Sequence, residues 1–125
     1  MKESNKQLGA RGEELAVEHL KRQGYRILEQ NFRNRLGEID IIAKDGGVVC
    51  FIEVKTRRSL KQGSPFEAVS RPKMAKLVQL AQSYIKYKRL NSPVRFDVVG
   101  IVTRREEGSS VEILKNAFDL SYIRV

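Results

Sequence analysis

Gly37-Glu38-Ile39-Asp40-Ile41-Ile42-Ala43 and Phe51-Ile52-Glu53-Val54-Lys55 are two Ile- and Val-rich runs with charges set into them. They predict strands over Glu38 to Ala43 and Val48 to Lys55, with Lys44-Asp45-Gly46-Gly47 as the hairpin turn between them. Residues two apart share a face of a strand, so Glu38 goes with Asp40 and Glu53 with Lys55. With Gly46 and Gly47 at the centre of the turn, Asp45 pairs with Val48, which sets Asp40 opposite Glu53 and Glu38 opposite Lys55. With Asp45 and Gly46 at the centre, Glu38 faces Glu53 instead. Either register predicts all four ionisable side chains on one face.

Such a placement is costly. Charges within an apolar hairpin lose solvation, and three carboxylates set together repel one another. A divalent cation offsets both effects: Mg²⁺ takes one or two carboxylates, keeps several waters and can engage a phosphate oxygen. Lys55 would then face the same anionic substrate. The alternative is a cross-strand salt-bridge ladder, in which Asp40 or Glu38 pairs with Lys55 on a solvated sheet face. The pattern alone leaves both open.

Outward from the hairpin, Leu8, Gly12, Leu15, Ala16, His19 and Leu20 recur at helical spacing and predict an amphipathic helix over about residues 7 to 22, stopped near Gly24. Arg26 to Phe32 reads as a weak strand. After Lys55 comes a basic loop, Thr56 to Gly63. Ser64, Pro65 and Glu67 then predict a capped helix start, with a bend at Pro72. Met74, Leu77, Val78, Ala81, Tyr84 and Ile85 continue its apolar stripe until Asn91-Ser92-Pro93. Val94 to Val102 is a buried strand, and Val111 to Leu114 a last strand across the turn Arg104 to Ser109. No repeat or linker divides the chain, so residues 1–125 are expected to form one α/β unit. Its order, αβββαβ plus a C-terminal strand, implies a mixed β-sheet flanked by helices.

With 125 residues, 24 Lys or Arg and 15 Asp or Glu, the chain has a net charge of +9 and suits a polyanionic partner. One cysteine and one histidine exclude an internal disulfide and leave a four-ligand Cys/His zinc site out of reach. Cys50, inside an apolar run, is expected to be a small buried hydrophobe, and His19 to be solvated. Met1 to Lys6 has no apolar signal segment, and no apolar run approaches a membrane span, so a cytoplasmic protein with no membrane partner is expected.

An acidic residue at the end of one strand, followed by Glu-x-Lys on the next, resembles the PD-(D/E)XK motif of the restriction-endonuclease-like superfamily, with Asp40, Glu53 and Lys55 in its positions. The element order is similar to that superfamily's core. Ile39 stands where the motif usually has proline, a position that contributes no chemical group. More closely, Gly12-Glu13, Asn31-Phe32-Arg33, the two strand runs through Thr56-Arg57, and Arg95-Phe96-Asp97-Val98-Val99 resemble the YraN family of small bacterial proteins. This likeness spans residues 9 to 102. A more distant likeness is to archaeal Holliday-junction resolvases, through Glu13 and Gly24, Asp-Ile-Ile and Glu-x-Lys. It implies a metal cluster of Glu13, Asp40 and Glu53 binding Mg²⁺ or Mn²⁺. It also implies Lys55 as the group that orients or activates water, and a homodimer; Glu38, on the same face of the hairpin by the strand pattern, is the candidate accessory acid.

Cations flank the hairpin. Arg33 and Arg35 precede it, and Arg57, Arg58 and Lys61 follow it, positions suited to phosphate contacts. Lys73, Lys76, Lys86, Lys88 and Arg89 read as the solvated face of the second helix, and Asp97 as a paired structural carboxylate. The aromatic residues form no stacking platform for single strands. The leading expectation is a metal-dependent endonuclease-like protein acting on DNA, with junction or branched DNA as a candidate substrate. A catalytically silent nucleic-acid-binding module of the same fold is one alternative. A protein-interaction domain whose acidic hairpin is only a salt-bridge ladder is another.

Overall fold

A computed structural model of the chain describes residues 3–61, 63–104 and 108–118. The first helix, α1, spans Asn5–Arg22. Ser4 and Gln7 close a reciprocal capping box at its start, which satisfies two of the backbone donors a helix leaves free. Leu8, Gly12, Ala16 and Leu20 form its buried stripe. Strands β1 (Arg26–Asn34), β2 (Gly37–Asp45) and β3 (Val48–Arg57) follow as an antiparallel meander. A 3-10 turn at Pro65–Ala68 precedes α2 (Arg71–Lys88), and β4 (Val94–Arg104) and β5 (Gly108–Phe118) complete the chain.

The five strands lie in the order β1-β2-β3-β4-β5. Only β3 and β4 run parallel, and α2 lies in the long crossover connection that a parallel pair requires. This is the mixed α/β sheet expected. Its two faces are covered by different helices. Leu77, Val78, Leu80, Ala81 and Tyr84 of α2 pack on Ile39, Ile42, Val49, Phe51 and Phe96, while Ala16 and Leu20 of α1 pack on Ile41, Ala43, Cys50, Ile52, Val99 and Ile101. Covering both faces explains why β3 and β4 are apolar at nearly every central position. Cys50 is buried as expected, and burial pushes its thiol up to about 12. His19 is half-buried rather than fully solvated. No helix among the described residues is long and apolar enough to cross a membrane.

Two boundaries and one expected bend differ from the sequence reading. Ser64 makes no side-chain cap, and the helix begins six residues later, where the Ser70 hydroxyl accepts the Lys73 N–H at 3.3 Å. Pro72 therefore sits in the first helical turn, where its missing N–H costs nothing, and it does not bend the helix. The last strand runs the full length of β4 rather than over Val111 to Leu114 alone. In the turn before it, residues 105–107 lie outside the described residues.

Gly12 sets the distance between α1 and the sheet, since a β-carbon there would collide with the Thr56 side chain on β3. Gly9, on the same helix, has open space beside it. In a helix, Gly→Ala normally stabilises by roughly 0.5–1 kcal/mol. Gly9→Ala is expected to follow that rule, whereas Gly12→Ala is expected to destabilise by about 1–3 kcal/mol through overpacking. Urea denaturation of the two variants, with opposite shifts in midpoint, checks this.

Candidate functional site

The hairpin adopts the first of the two registers, with Asp45 opposite Val48 and Ile41 opposite Ile52. Pairing stops there. Beyond Ile52, the Val54 N–H is taken by the Asp40 carboxylate at 2.8 Å. The period-two alternation of β2 breaks at the same place, because Ile39 and Ile42 pack in the α2-side core while Ile41 and Ala43 pack in the α1-side core.

One flat face carrying four charges is therefore not what forms. Glu53 and Lys55 share a side, as their spacing requires, and meet Lys73 from α2: Glu53 Oε1 lies 3.4 Å from Lys55 Nζ and 3.7 Å from Lys73 Nζ. Glu38 and Asp40 instead meet Glu13 from α1, and ligand oxygens of these three carboxylates lie within 4.8 Å of one another. Glu38 thus stands among the acids rather than beside them. The expected ladder pair Glu38–Lys55 does not form, since Glu38 accepts from Arg33 at 3.0 Å.

A cleft of about 650 Å³ joins the two halves, with Glu13, Asp40, Glu53 and Lys55 all on its wall. Glu53 is only 4% exposed, and its second oxygen, Oε2, is buried without a hydrogen-bond partner. A buried carboxylate oxygen left unpaired costs about 1–3 kcal/mol or more. Burial, followed by the neighbouring charge of Glu53, pushes the Asp40 carboxyl up to about 7; the Val54 N–H and the Lys73 charge act against this rise. Burial and the charges of Asp40 and Glu38 raise Glu13 as well. Burial is the larger cause of both rises, and the neighbouring carboxylates add to it.

The basic residues divide. Arg57, Arg58 and Lys61 line the cleft, but Arg58 also donates to Asn5 Oδ1 at 2.9 Å and to the Glu3 carbonyl at 2.7 Å, tying the strand end to the start of α1. Arg57 is half-buried with its Nε unpartnered, and Lys61 is exposed. Arg33 is engaged by Glu38, and Arg35 is exposed in the β1–β2 turn. Lys73 is the residue that the sequence reading left on a solvated face and that belongs to the site. The signal was present, since a cation in the first turn of a helix opposes the helix dipole and calls for a local partner. It was hidden by placing the helix start at Ser64.

At the other end of the sheet, Asp97 forms a contrasting acidic centre. It is 1% exposed and fully paired, accepting from Arg95 Nε at 2.8 Å, the Tyr25 hydroxyl at 3.0 Å and the Asn116 N–H at 3.0 Å. It is the structural carboxylate expected.

A sequence model described as "Uncharacterised protein family UPF0102" matches residues 12–101. Among curated relatives, a UPF0102 protein of Syntrophus aciditrophicus is 48% identical over 96% of this chain and 94% of its own length. Another, from Caldicellulosiruptor saccharolyticus, is 47% identical over 92% of the chain and 99% of its own length. A third, from Clostridium botulinum, is 47% identical over 93% and 97%.

The raised Asp40 carboxyl has a measurable consequence. Between its ordinary 3.8 and about 7, the folded protein holds a proton that the unfolded chain releases, so stability falls as pH rises across that window. Asp40→Asn keeps the acceptor for Val54 and removes the charge. It is expected to be more stable than the parent by a few kcal/mol above about pH 7, with the difference fading towards about pH 4. Urea unfolding of both proteins across this range checks the sign and the window.

Proposed function

The chain belongs to the UPF0102 family, the YraN-like proteins its sequence resembles, and we propose that it is a metal-dependent endonuclease-like protein that binds DNA and hydrolyses phosphodiester bonds. One observation carries this reading: Glu53, which has a buried, unpartnered oxygen, lines the same cleft as Glu13 and Asp40, and these two with Glu38 offer carboxylate oxygens within 4.8 Å of one another. A salt-bridge ladder would leave no such surplus of acceptors. The order helix, three strands, helix, strand agrees with a restriction-endonuclease-like core, with Asp40 and the Glu53-x-Lys55 pair at the positions of its motif.

The donor set suits a hard divalent cation, since it consists of carboxylate oxygens alone with room for water in the cleft. Glu13, Glu38 and Asp40 would hold Mg²⁺ or Mn²⁺, with Glu53 Oε2 as a further oxygen. When bound, the ion polarises a phosphate oxygen and lowers the pKa of water. Lys55, about one-third exposed beside Glu53, has the position to balance the charge that develops on the phosphate. Arg57 and Lys61 on the cleft wall, and Arg35 exposed in the β1–β2 turn, would hold the flanking backbone without reading bases. Among the described residues the cleft lining contains no aromatic side chain, which favours a backbone over an isolated base.

Asp40→Ala, Glu53→Ala and Lys55→Ala are each expected to reduce Mn²⁺-dependent cleavage by on the order of 10²–10³-fold or more. A panel of linear, flapped and four-way-junction DNAs, with and without Mn²⁺, measures rate and substrate shape together, and circular dichroism confirms the fold of each variant. Unchanged nicking by all three variants removes the proposal. Salt-sensitive DNA binding without cleavage would instead identify a silent binding module.

A further inference from the structure

Glu53 is the most deeply buried of the site acids, yet it is held through one oxygen alone. Two ammonium groups converge on Oε1. Lys55 comes from the same strand, and Lys73 reaches across from the first turn of α2, where a cation is otherwise disfavoured. Lys73 is itself anchored: its N–H is the one that the Ser70 cap takes, and it lies one helical turn before Leu77, which is 3% exposed in the α2-side core. Its backbone is thus fixed on a rigid element, and its ammonium lies 3.7 Å from Glu53 Oε1. It can hold a neighbouring side chain in one orientation.

We propose that Lys73 is a positioning residue for the acid site: it fixes Glu53 through Oε1, leaves Oε2 free for a divalent cation, and so releases Lys55 to face the phosphate. This rests on the metal-dependent reading above. It assigns the two lysines different duties, although both lie within 4 Å of one oxygen.

The two possible roles of Lys73 predict opposite signs. Removing a nearby positive charge, by itself, tightens cation binding. Releasing a ligand from its held orientation loosens it, typically by on the order of tenfold or more. Mn²⁺ binding to the full chain, followed by electron paramagnetic resonance of the free ion, separates them. Lys73→Met is expected to weaken Mn²⁺ binding on the order of tenfold, Lys73→Arg to restore most of it, and kcat on DNA to fall with KM unchanged. In the Glu53→Gln background, Lys73→Met should cost nothing further, because its partner is already altered. Lys73→Gln serves in the same cycle if the methionine variant does not fold. Mn²⁺ binding by the Lys73 variant as tight as the parent's, or tighter, overturns the assignment, as does an equal loss in the Glu53→Gln background. A parent protein that binds no Mn²⁺ removes the metal-dependent reading and this assignment with it.

Discussion

Beyond Ile41 and Ile52 the two central strands part, and the Asp40 carboxylate takes the Val54 N–H. A backbone donor at the edge of an interrupted ladder needs an acceptor, and here a side chain supplies it. This substitution holds Asp40 between the strands, where α1 can bring Glu13 to it from one face while α2 brings Lys73 to Glu53 from the other. Had the ladder continued, Asp40 and Glu53 would have stood side by side on one surface, and Glu13 would have had no access to them.

The two acidic centres of the sheet show what distinguishes a structural carboxylate from one available for chemistry. Asp97 is more deeply buried than Asp40, yet each of its oxygens is met by donors from Arg95 and by Tyr25 or Asn116. Its charge is neutralised within the fold, and it ties β4 to β5 and to the start of β1. Around Asp40 the balance is different. Among the described residues, four carboxylates are met by one backbone N–H, the Asn31 side chain at Glu13, the exposed Arg33 and two lysines that share a single Glu53 oxygen. Burial depth alone would rank these centres in the wrong order; the count of unmet acceptors separates them.

Much of this was legible in the residues. The turn glycines fixed the register to two choices, one of which forms, and the apolar patterning located both helices and the five strands that follow them in order. The one-face arrangement was not legible, because strict alternation holds only while a strand stays paired, and nothing in Ile39-Asp40-Ile41 announces where pairing ends. Lys73 was misplaced for a related reason. Ser64-Pro65 and Ser70-Arg71-Pro72 are equally good start signals, and the first is used instead for a 3-10 turn whose Pro65 and Phe66 seat against Gly100 on β4. Tertiary packing made that choice, and the helix start moved with it.

The net charge of +9 acquires a different meaning from this placement. Several of the cations expected to meet a polyanion are already engaged: Arg33 by Glu38, Arg58 by the start of α1, and Arg95 by Asp45 and Asp97. What remains at the cleft is the exposed Lys61 and, set into its wall, Arg57, while Arg35 is exposed in the β1–β2 turn. The excess charge is thus partly consumed within the fold, and of these three only Arg33 meets an acid of the site. Glu13 lies next to Gly12 at the closest approach of α1 to β3, and Lys73 one turn from the α2 core, so each reaches the site from a rigid element. Carboxylates that repel one another stay within a few ångströms because the two cores, on opposite faces of the sheet, bear the cost. An ion entering the cleft would relieve a repulsion that hydrophobic packing has already imposed, and that asymmetry favours binding without any rearrangement of the fold.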